Sequence, residues 1–365
     1  MLNNTLMIIL ILVVALGGLI YFVKKTTEDN DDIEEKELIT VESLMQKVNE
    51  TFAATIKRSI NDMNLNSEQY KKKMANKEEL KSSIHKCADG DAAARAFVKQ
   101  YTQDVITDER IGKVSPYNID SIIPFNDPDK LKPRYKFEIL TMLWMEEGER
   151  GFSKNFTRFG LDKPKKTRYG DVYDVTKEDI TRVYEEYIEE RGGIDYAEKI
   201  DFLTQLVYEK RFGLGPVDLL HEIEIDEYQG GTSGIPSGRY DITLHSQSDD
   251  DYPEDVSDYE KSLDEPRYSF EAVWIVFHGL NIHLSCTTFE TQKELQRVTR
   301  NIYRYNAPTI LTQKDPKIIS TMKDGSRVAV MCPDFSDSFA FLCRKFDSTP
   351  SILPEQLLTT RKKEA

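Results

Sequence analysis

Apolar residues recur every three or four positions over much of the first two thirds of the chain, a spacing that places them along one side of a helix. The clearest stripe runs from Val41 to Met63. It predicts one helix there, and the same spacing predicts further helices near residues 68–87 and 91–106 and several more within 130–212. Asp89 and Asp91 are alternative candidate caps for the helix at 91–106.

The pattern changes near residue 272 to the alternation that is typical of strands. The segments "AVWIVFHG" and "NIHLSCTTF" predict a hairpin, and "KIISTM", "RVAVMC" and "SFAFLCRKF" predict three more strands. Between these two groups lies a helix with Leu295, Val298 and Ile302 facing inward. Asp324-Gly325 predicts a primed turn between two of the strands. This order predicts an α+β sandwich with one face of the sheet covered.

The N-terminus carries an uncharged apolar run, "LMIILILVVALGGLIYFV", at Leu6–Val23. Its length just suffices to cross a bilayer core. It lacks the basic start and small-residue cleavage site of a signal peptide, so we expect a retained single-pass transmembrane helix. Lys24 and Lys25 follow directly, and the positive-inside rule then places the rest of the chain in the cytoplasm. The expected location is the inner (cytoplasmic) membrane.

An acidic run, "TTEDNDDIEEKE", and a proline-rich stretch, "SPYNIDSIIPFNDPDKLKP", interrupt the periodic segments. The first cannot bury enough apolar surface to order itself and is expected to be a solvated tether. These features predict the following divisions: a transmembrane anchor at 1–26, an acidic tether and helical region at 27–110, a proline-rich joint at 111–129, a helical domain at 130–212, an α+β domain at 213–350 and a tail at 351–365.

The net charge of the chain restricts which classes of molecule it is expected to bind. A net charge of −14 and a pI near 5.0 argue against nucleic acid as the main partner, because phosphate backbones require a cationic face. Four cysteines without a Cys-x-x-Cys pair are expected to be reduced core thiols.

No motif for independent catalysis is found, and no catalytic residue is predicted. The only Gly-Lys pair, Gly112-Lys113, lacks both the first glycine and the hydroxyl residue of a nucleoside-triphosphate loop. His278 and His283 flank the predicted hairpin turn, but no cysteine or carboxylate accompanies them at ligand spacing, so no metal site is predicted.

Several segments follow one another in a familiar order between residues 200 and 350: "FGLGPVDLLHEIEIDEYQGGTSG", a strand hairpin, a helix, "DGSRVAVMCPDF" and "CRKFDS". This order resembles the N-terminal domain of the type II/IV secretion ATPases, especially the branch that powers tight-adherence (Flp) pilus assembly. The family pattern is Gly-x-Gly-Pro, an acidic element before a glycine, Asp-Gly-Ser-Arg-Val on a hairpin and Arg-Lys-Phe at a strand end.

The resemblance implies a role in a hexameric motor in which nucleotide lies between this domain and a RecA-like ATPase domain. By matching motif positions, it implies that Arg327 and Arg344 contact the phosphates of ATP in a composite site, with Lys345 as a weaker third donor. The implied cofactors are ATP and Mg²⁺ in combination with a RecA-like domain, and none for this chain alone. The alternative is that both arginines form ordinary salt bridges in an acidic protein.

Three interpretations of the function stay open. The first is a membrane-anchored, non-catalytic component of a type II secretion or Flp-pilus machine. The second is an active secretion ATPase whose RecA-like domain is absent from this chain, and the third is a membrane-tethered scaffold. The expected partners are a RecA-like ATPase domain or paralogue, inner-membrane platform proteins and further copies of the chain.

Overall fold

The computed structural model describes residues 39–57, 67–88, 90–167, 170–232, 258–263, 268–307 and 309–345. The chain divides into two compact units, Met1–Ser43 and Leu44–Ala365. The predicted anchor at Leu6–Val23, the acidic tether and the tail at 351–365 lie outside the described residues and stay predictions. Across the described ranges, no helix combines the length and the apolar character that crossing a membrane requires.

Helices make up most of the described chain before residue 212, and the predicted helices at 68–87 and 91–106 are confirmed. The helices are α1 (Val41–Lys57), α2 (Ser67–Ala88), α3 (Ala92–Thr107), α4 (Ile119–Ile122), α5 (Pro133–Glu146), α6 (Gly151–Arg158), α7 (Lys177–Arg191) and α8 (Tyr196–Arg211). A short hairpin, β1 (Lys165–Thr167) and β2 (Gly170–Val172), lies between α6 and α7.

Side-chain caps fix where several of these helices begin. Of the two predicted candidates, Asp91 is the cap of α3, and it accepts a hydrogen bond of 2.9 Å from the backbone N–H of Ala94. Thr176 and Asp179 bond reciprocally across the first turn of α7, and Asp195 and Glu198 do the same at α8. Such caps satisfy N–H groups that have no partner inside the helix.

The second half of the chain builds an antiparallel sheet of six described strands. Two short 3₁₀ segments, Gly215–Val217 and Leu219–His221, lead from α8 into it. The strands and remaining helices are β3 (Glu227–Gly230), α9 (Asp258–Leu263), β4 (Val273–Phe277), β5 (Leu280–His283), α10 (Gln292–Ile302), β6 (Lys317–Thr321), β7 (Arg327–Met331) and β8 (Ala340–Arg344). Their spatial order is β5-β4-β3-β8-β7-β6.

The apolar stripe of α10, Leu295, Val298 and Ile302, is buried as predicted. Side chains of alternate strand positions, such as Val328 and Phe341, are buried as well and form the inner face of the sheet. This arrangement confirms the predicted α+β class. Near β4 the opposite face is also covered, because Trp274 is buried and its indole N–H donates to the carbonyl of Thr232.

The prediction for the Asp324-Gly325 turn is wrong in its type. Only the glycine of this pair has a positive φ, of 90°, and the backbone of Gly325 bonds to Met322 while Met322 bonds to Ser326. This pattern belongs to a hairpin loop of more than two residues with glycine in the left-handed region. A two-residue primed turn of the Asp-Gly type would require positive φ at both positions.

Strand β3 was not predicted from the sequence, although it lies at the centre of the sheet. Its residues, Glu227–Gly230, contain one aromatic and no aliphatic side chain, so they lack the composition of a strand. Gly230 is required by close packing, because a Cβ atom there would lie 2.5 Å from the ring of Phe341 and 2.7 Å from that of Phe289.

A buried ionic cluster joins α5 to α8. Arg134 donates to Glu138 one turn along α5, at 2.6 Å, and to Glu209 on α8. All three side chains are nearly inaccessible to solvent. Burial raises the pKa of Glu138 and of Glu209, because it disfavours the charged carboxylate, while Arg134 opposes the increase.

A second buried pair extends the cluster toward the sheet. Arg95 on α3 contacts Asp218, which follows the first 3₁₀ segment, at 2.9 Å. Gln205 on α8 donates to the same carboxylate at 2.9 Å and lies 3.4 Å from Glu209. Burial alone would raise the pKa of Asp218, but Arg95 and Lys99 hold it below its usual range. Helices α3, α5 and α8 are therefore joined through one polar network.

We expect Arg134→Met to destabilise the fold by about 3–5 kcal/mol, because it leaves two buried carboxylates without their counter-ion. Denaturant unfolding measures this change. The matched control is Arg158→Ala, which breaks an exposed pair with Glu190 and should cost less than about 1 kcal/mol. Equal losses in the two variants would contradict the role assigned to the cluster.

Candidate functional site

The two arginines implied by the resemblance lie side by side in the structure. Arg327 begins β7, Arg344 ends β8, and the two residues are directly opposed in the antiparallel register. Both are exposed. Opposed Cβ atoms in such a pair are about 4.5–5.5 Å apart, so the two guanidinium groups can approach one ligand together. We call Arg327 and Arg344 the arginine pair.

Burial of their neighbours explains why both arginines face outward. Val328 and Cys343 are opposed to each other on the inner face and are buried. Because side chains alternate along a strand, the adjacent arginines must lie on the opposite, outer face. Burial also raises the pKa of the Cys343 thiol to about 12, so this cysteine is protonated and unreactive.

The outer face gives the arginine pair an acidic neighbour. Glu227 on β3 is opposed to Arg344, so the row across three strands is arginine, arginine, glutamate. Burial raises the pKa of Glu227, and hydrogen bonding from Gln229 and the charge of Arg344 act against this. The row therefore places two guanidinium groups and one carboxylate side by side on the outer face.

The loop before Arg327 is held by one carboxylate. Asp324 accepts from the backbone N–H of Ser326 at 3.0 Å and from its hydroxyl at 2.7 Å. It also lies 3.2 Å from Nε2 of His221, whose Nδ1 is 3.0 Å from the hydroxyl of the buried Tyr228. These contacts fix the start of β7, and with it the position of Arg327.

Lys345 has a different environment from the arginine pair. Its ammonium group donates to the carbonyl of Ile223, and its backbone N–H donates to the carbonyl of Asp226 at 2.9 Å. Both acceptors lie in the segment that leads into β3. The structure thus brings Arg327 and Arg344 together and ties Lys345 to this backbone segment.

A second cationic region, which sequence analysis missed, lies beside α10. An open cleft of about 730 Å³ is lined by Lys293, Arg297, Arg300 and Arg304 among other residues. Successive cations are four, three and four residues apart. This spacing places them along one side of α10 and of the 3₁₀ segment Arg304–Asn306 that follows it. The same periodicity that predicted the inward stripe of α10 could have indicated this cationic side.

His283, one of the two histidines that flank the β4–β5 turn, has a structural role. His283 contacts Asp174 at 3.0 Å, and both are buried. Burial acts to raise the pKa of Asp174, but hydrogen bonding from His283 and Ser285 holds it low. Val175 donates to the carbonyl of His283, which covers this edge of the sheet. Throughout the described ranges, no group of three histidine, cysteine or carboxylate residues is placed to hold a metal ion.

We expect the contribution of Asp324 to stability to depend on pH. Although burial opposes ionisation, hydrogen bonds from His221 and Ser326 hold the pKa of Asp324 well below its usual range. A carboxylate whose pKa is lower in the folded state stabilises the fold at pH values above its unfolded-state pKa. This stabilisation is lost as the pH falls toward the folded-state pKa. Asp324→Asn should cost about 1 kcal/mol at pH 7, given solvent screening, and this cost should shrink below about pH 4.

Unfolding measured across this pH range, with the exposed Asp337→Asn as control, tests the expectation. A cost of Asp324→Asn that stays constant with pH would show that the carboxylate does not act through its charge.

No protein-family model matches the chain, and no curated protein matches it.

Proposed function

We propose that this chain is a non-catalytic component of a type II secretion or Flp-pilus machine, in which the arginine pair contacts the phosphates of a nucleotide held by a RecA-like partner. The observation that carries the proposal is the direct opposition of Arg327 and Arg344 on the outer face of the sheet. Membrane anchoring through Leu6–Val23, with the remainder in the cytoplasm, belongs to the same proposal.

The chemistry of the pair supports phosphate as the ligand. A guanidinium group stays charged and donates two parallel hydrogen bonds that match two oxygens of a phosphate. Two such groups on neighbouring strands can contact adjacent phosphates or two sides of one phosphate. Their rigid placement lowers the entropic cost of binding, because strand positions vary less than loop positions.

The proposal assigns the chemical step to the partner. In-line phosphoryl transfer requires groups that hold the β- and γ-phosphates together with Mg²⁺, and the loop motif that supplies them is not found in the sequence. An arginine provided by a second protein can nevertheless increase the rate strongly, because it stabilises charge that develops in the transition state. The arginine pair fits that supporting role.

We expect Arg327→Ala and Arg344→Ala each to lower the partner's ATPase rate by about 10³-fold while changing the folding free energy by no more than about 0.5 kcal/mol. Both side chains are exposed, and exposed substitutions usually change stability little. Arg344→Lys should recover only part of the rate, since lysine offers a point charge in place of a planar fork.

The experiment mixes full-length protein with the cognate RecA-like ATPase and compares the rates at matched thermal stability. Arg158→Ala is the control, because it removes an exposed arginine far from β7 and β8 in sequence. Equal stimulation by wild type and both alanine variants would show that the arginine pair has no part in nucleotide chemistry.

A further inference from the structure

The cleft beside α10 has a charge opposite to that of the protein as a whole. Four cations line it, Lys293, Arg297, Arg300 and Arg304, and none of its described lining residues is a carboxylate. The chain carries a net charge of −14. A cationic cavity in so acidic a protein concentrates anions locally, because the field is set by the nearest charges.

Helix stability alone does not account for these cations. Arg300 lies in the last turn of α10, where the helix dipole favours a positive charge. Lys293 lies in the first turn, where the same dipole disfavours one. A lysine at that position therefore indicates a role outside the helix.

The four cations are not equivalent. Arg297 is engaged within the protein: it donates to both carboxylate oxygens of Glu294 and to the carbonyls of Gly213 and Glu209. It anchors α10 to the end of α8 and forms a fixed wall of the cleft. The charge of Arg297 is balanced by Glu294.

The other three cations keep their charge available. Among the described residues, no carboxylate oxygen lies within 4.0 Å of the charged nitrogens of Lys293, Arg300 or Arg304. The guanidinium of Arg300 lies over the ring of Phe339, 5.8 Å from its centroid. Stacking on an aromatic face orients a guanidinium and leaves its N–H edge for an acceptor.

The rest of the lining provides both polar and apolar contacts. Gln296 and Asn301 contribute amide groups, and Ile310, which is 76% exposed, contributes an apolar surface at the rim. The rise of a helix separates Lys293 from Arg300 by about 10 Å, so a ligand that reaches both must carry more than one anionic group or a long polar body.

We propose that this cleft binds a small molecule bearing more than one phosphate charge, either free in solution or as the headgroup of a lipid. Arg300 and Arg304 bind the phosphate, Lys293 adds charge at the far end, and Ile310 contacts the organic part. The cleft is separate from the arginine pair, because α10 covers the inner face of the sheet and Arg327 and Arg344 lie on the outer face.

The experiment titrates full-length protein with two probes, inorganic pyrophosphate and water-soluble dihexanoyl phosphatidylinositol 4-phosphate, by calorimetry. Each charged contact removed should weaken binding by about tenfold or more, so the double variant of Arg300→Ala and Arg304→Ala should lose most of the affinity. The control Arg110→Ala removes an arginine that is 90% exposed outside the cleft and should bind as wild type does.

Two comparisons identify the source of the phosphate. Tighter binding of dihexanoyl phosphatidylinositol 4-phosphate than of pyrophosphate, weakened by Ile310→Ser, indicates a lipid headgroup. Tighter binding of pyrophosphate, unaffected by Ile310→Ser, indicates a soluble ligand.

The proposal and the function proposed for the arginine pair can fail independently. Combined Arg327→Ala and Arg344→Ala should leave binding of both probes unchanged, and Arg300→Ala should leave ATPase stimulation unchanged. The inference is overturned if neither probe binds, or if the Arg300 and Arg304 variant binds them as tightly as wild type does.

Discussion

The sheet depends on one constraint: every second residue of β7 and β8 must be buried on its inner face. Val328, Phe341 and Cys343 meet this constraint on the inner face. Alternation then leaves no choice for Arg327 and Arg344, which must lie on the outer face. A one-residue slip in register would bury both charges. The free-energy cost of burying them would far exceed what a single packing contact contributes to folding. The hydrophobic core therefore fixes the position of the arginine pair.

The buried ionic network plays the corresponding role among the helices. Arg95 and Arg134 each bridge elements that are distant in sequence, and Asp218 lies where the helices lead into the sheet. Replacing such a network by apolar residues can be neutral, but removing one member leaves an uncompensated buried charge. The network therefore favours one packing arrangement of α3, α5 and α8 over alternatives that would separate its charges.

Much of the architecture could be predicted from periodicity, because strong stripes on α1, α3 and α10 reflect burial directly. Strand β3 could not, since Glu227–Gly230 gains its strand character from its neighbours β4 and β8. The arginine pair was identified through the motif order, whereas its cross-strand opposition depends on a register that local pattern does not give. The cationic cleft was missed because α10 was analysed for its buried side alone. The positions of most helices and strands along the chain, the caps and the buried stripes were local properties, and the site was not.

The function proposed for the arginine pair requires Arg327 and Arg344 to contact the same nucleotide. NMR spectra of arginine Nε–Hε groups, assigned with Arg327→Lys and Arg344→Lys, report on this contact in the full chain bound to a RecA-like ATPase. Both resonances should shift together when the partner is loaded with a non-hydrolysable ATP analogue, and neither should shift with the empty partner. Unchanged resonances in the loaded complex would show that the arginine pair does not contact the nucleotide.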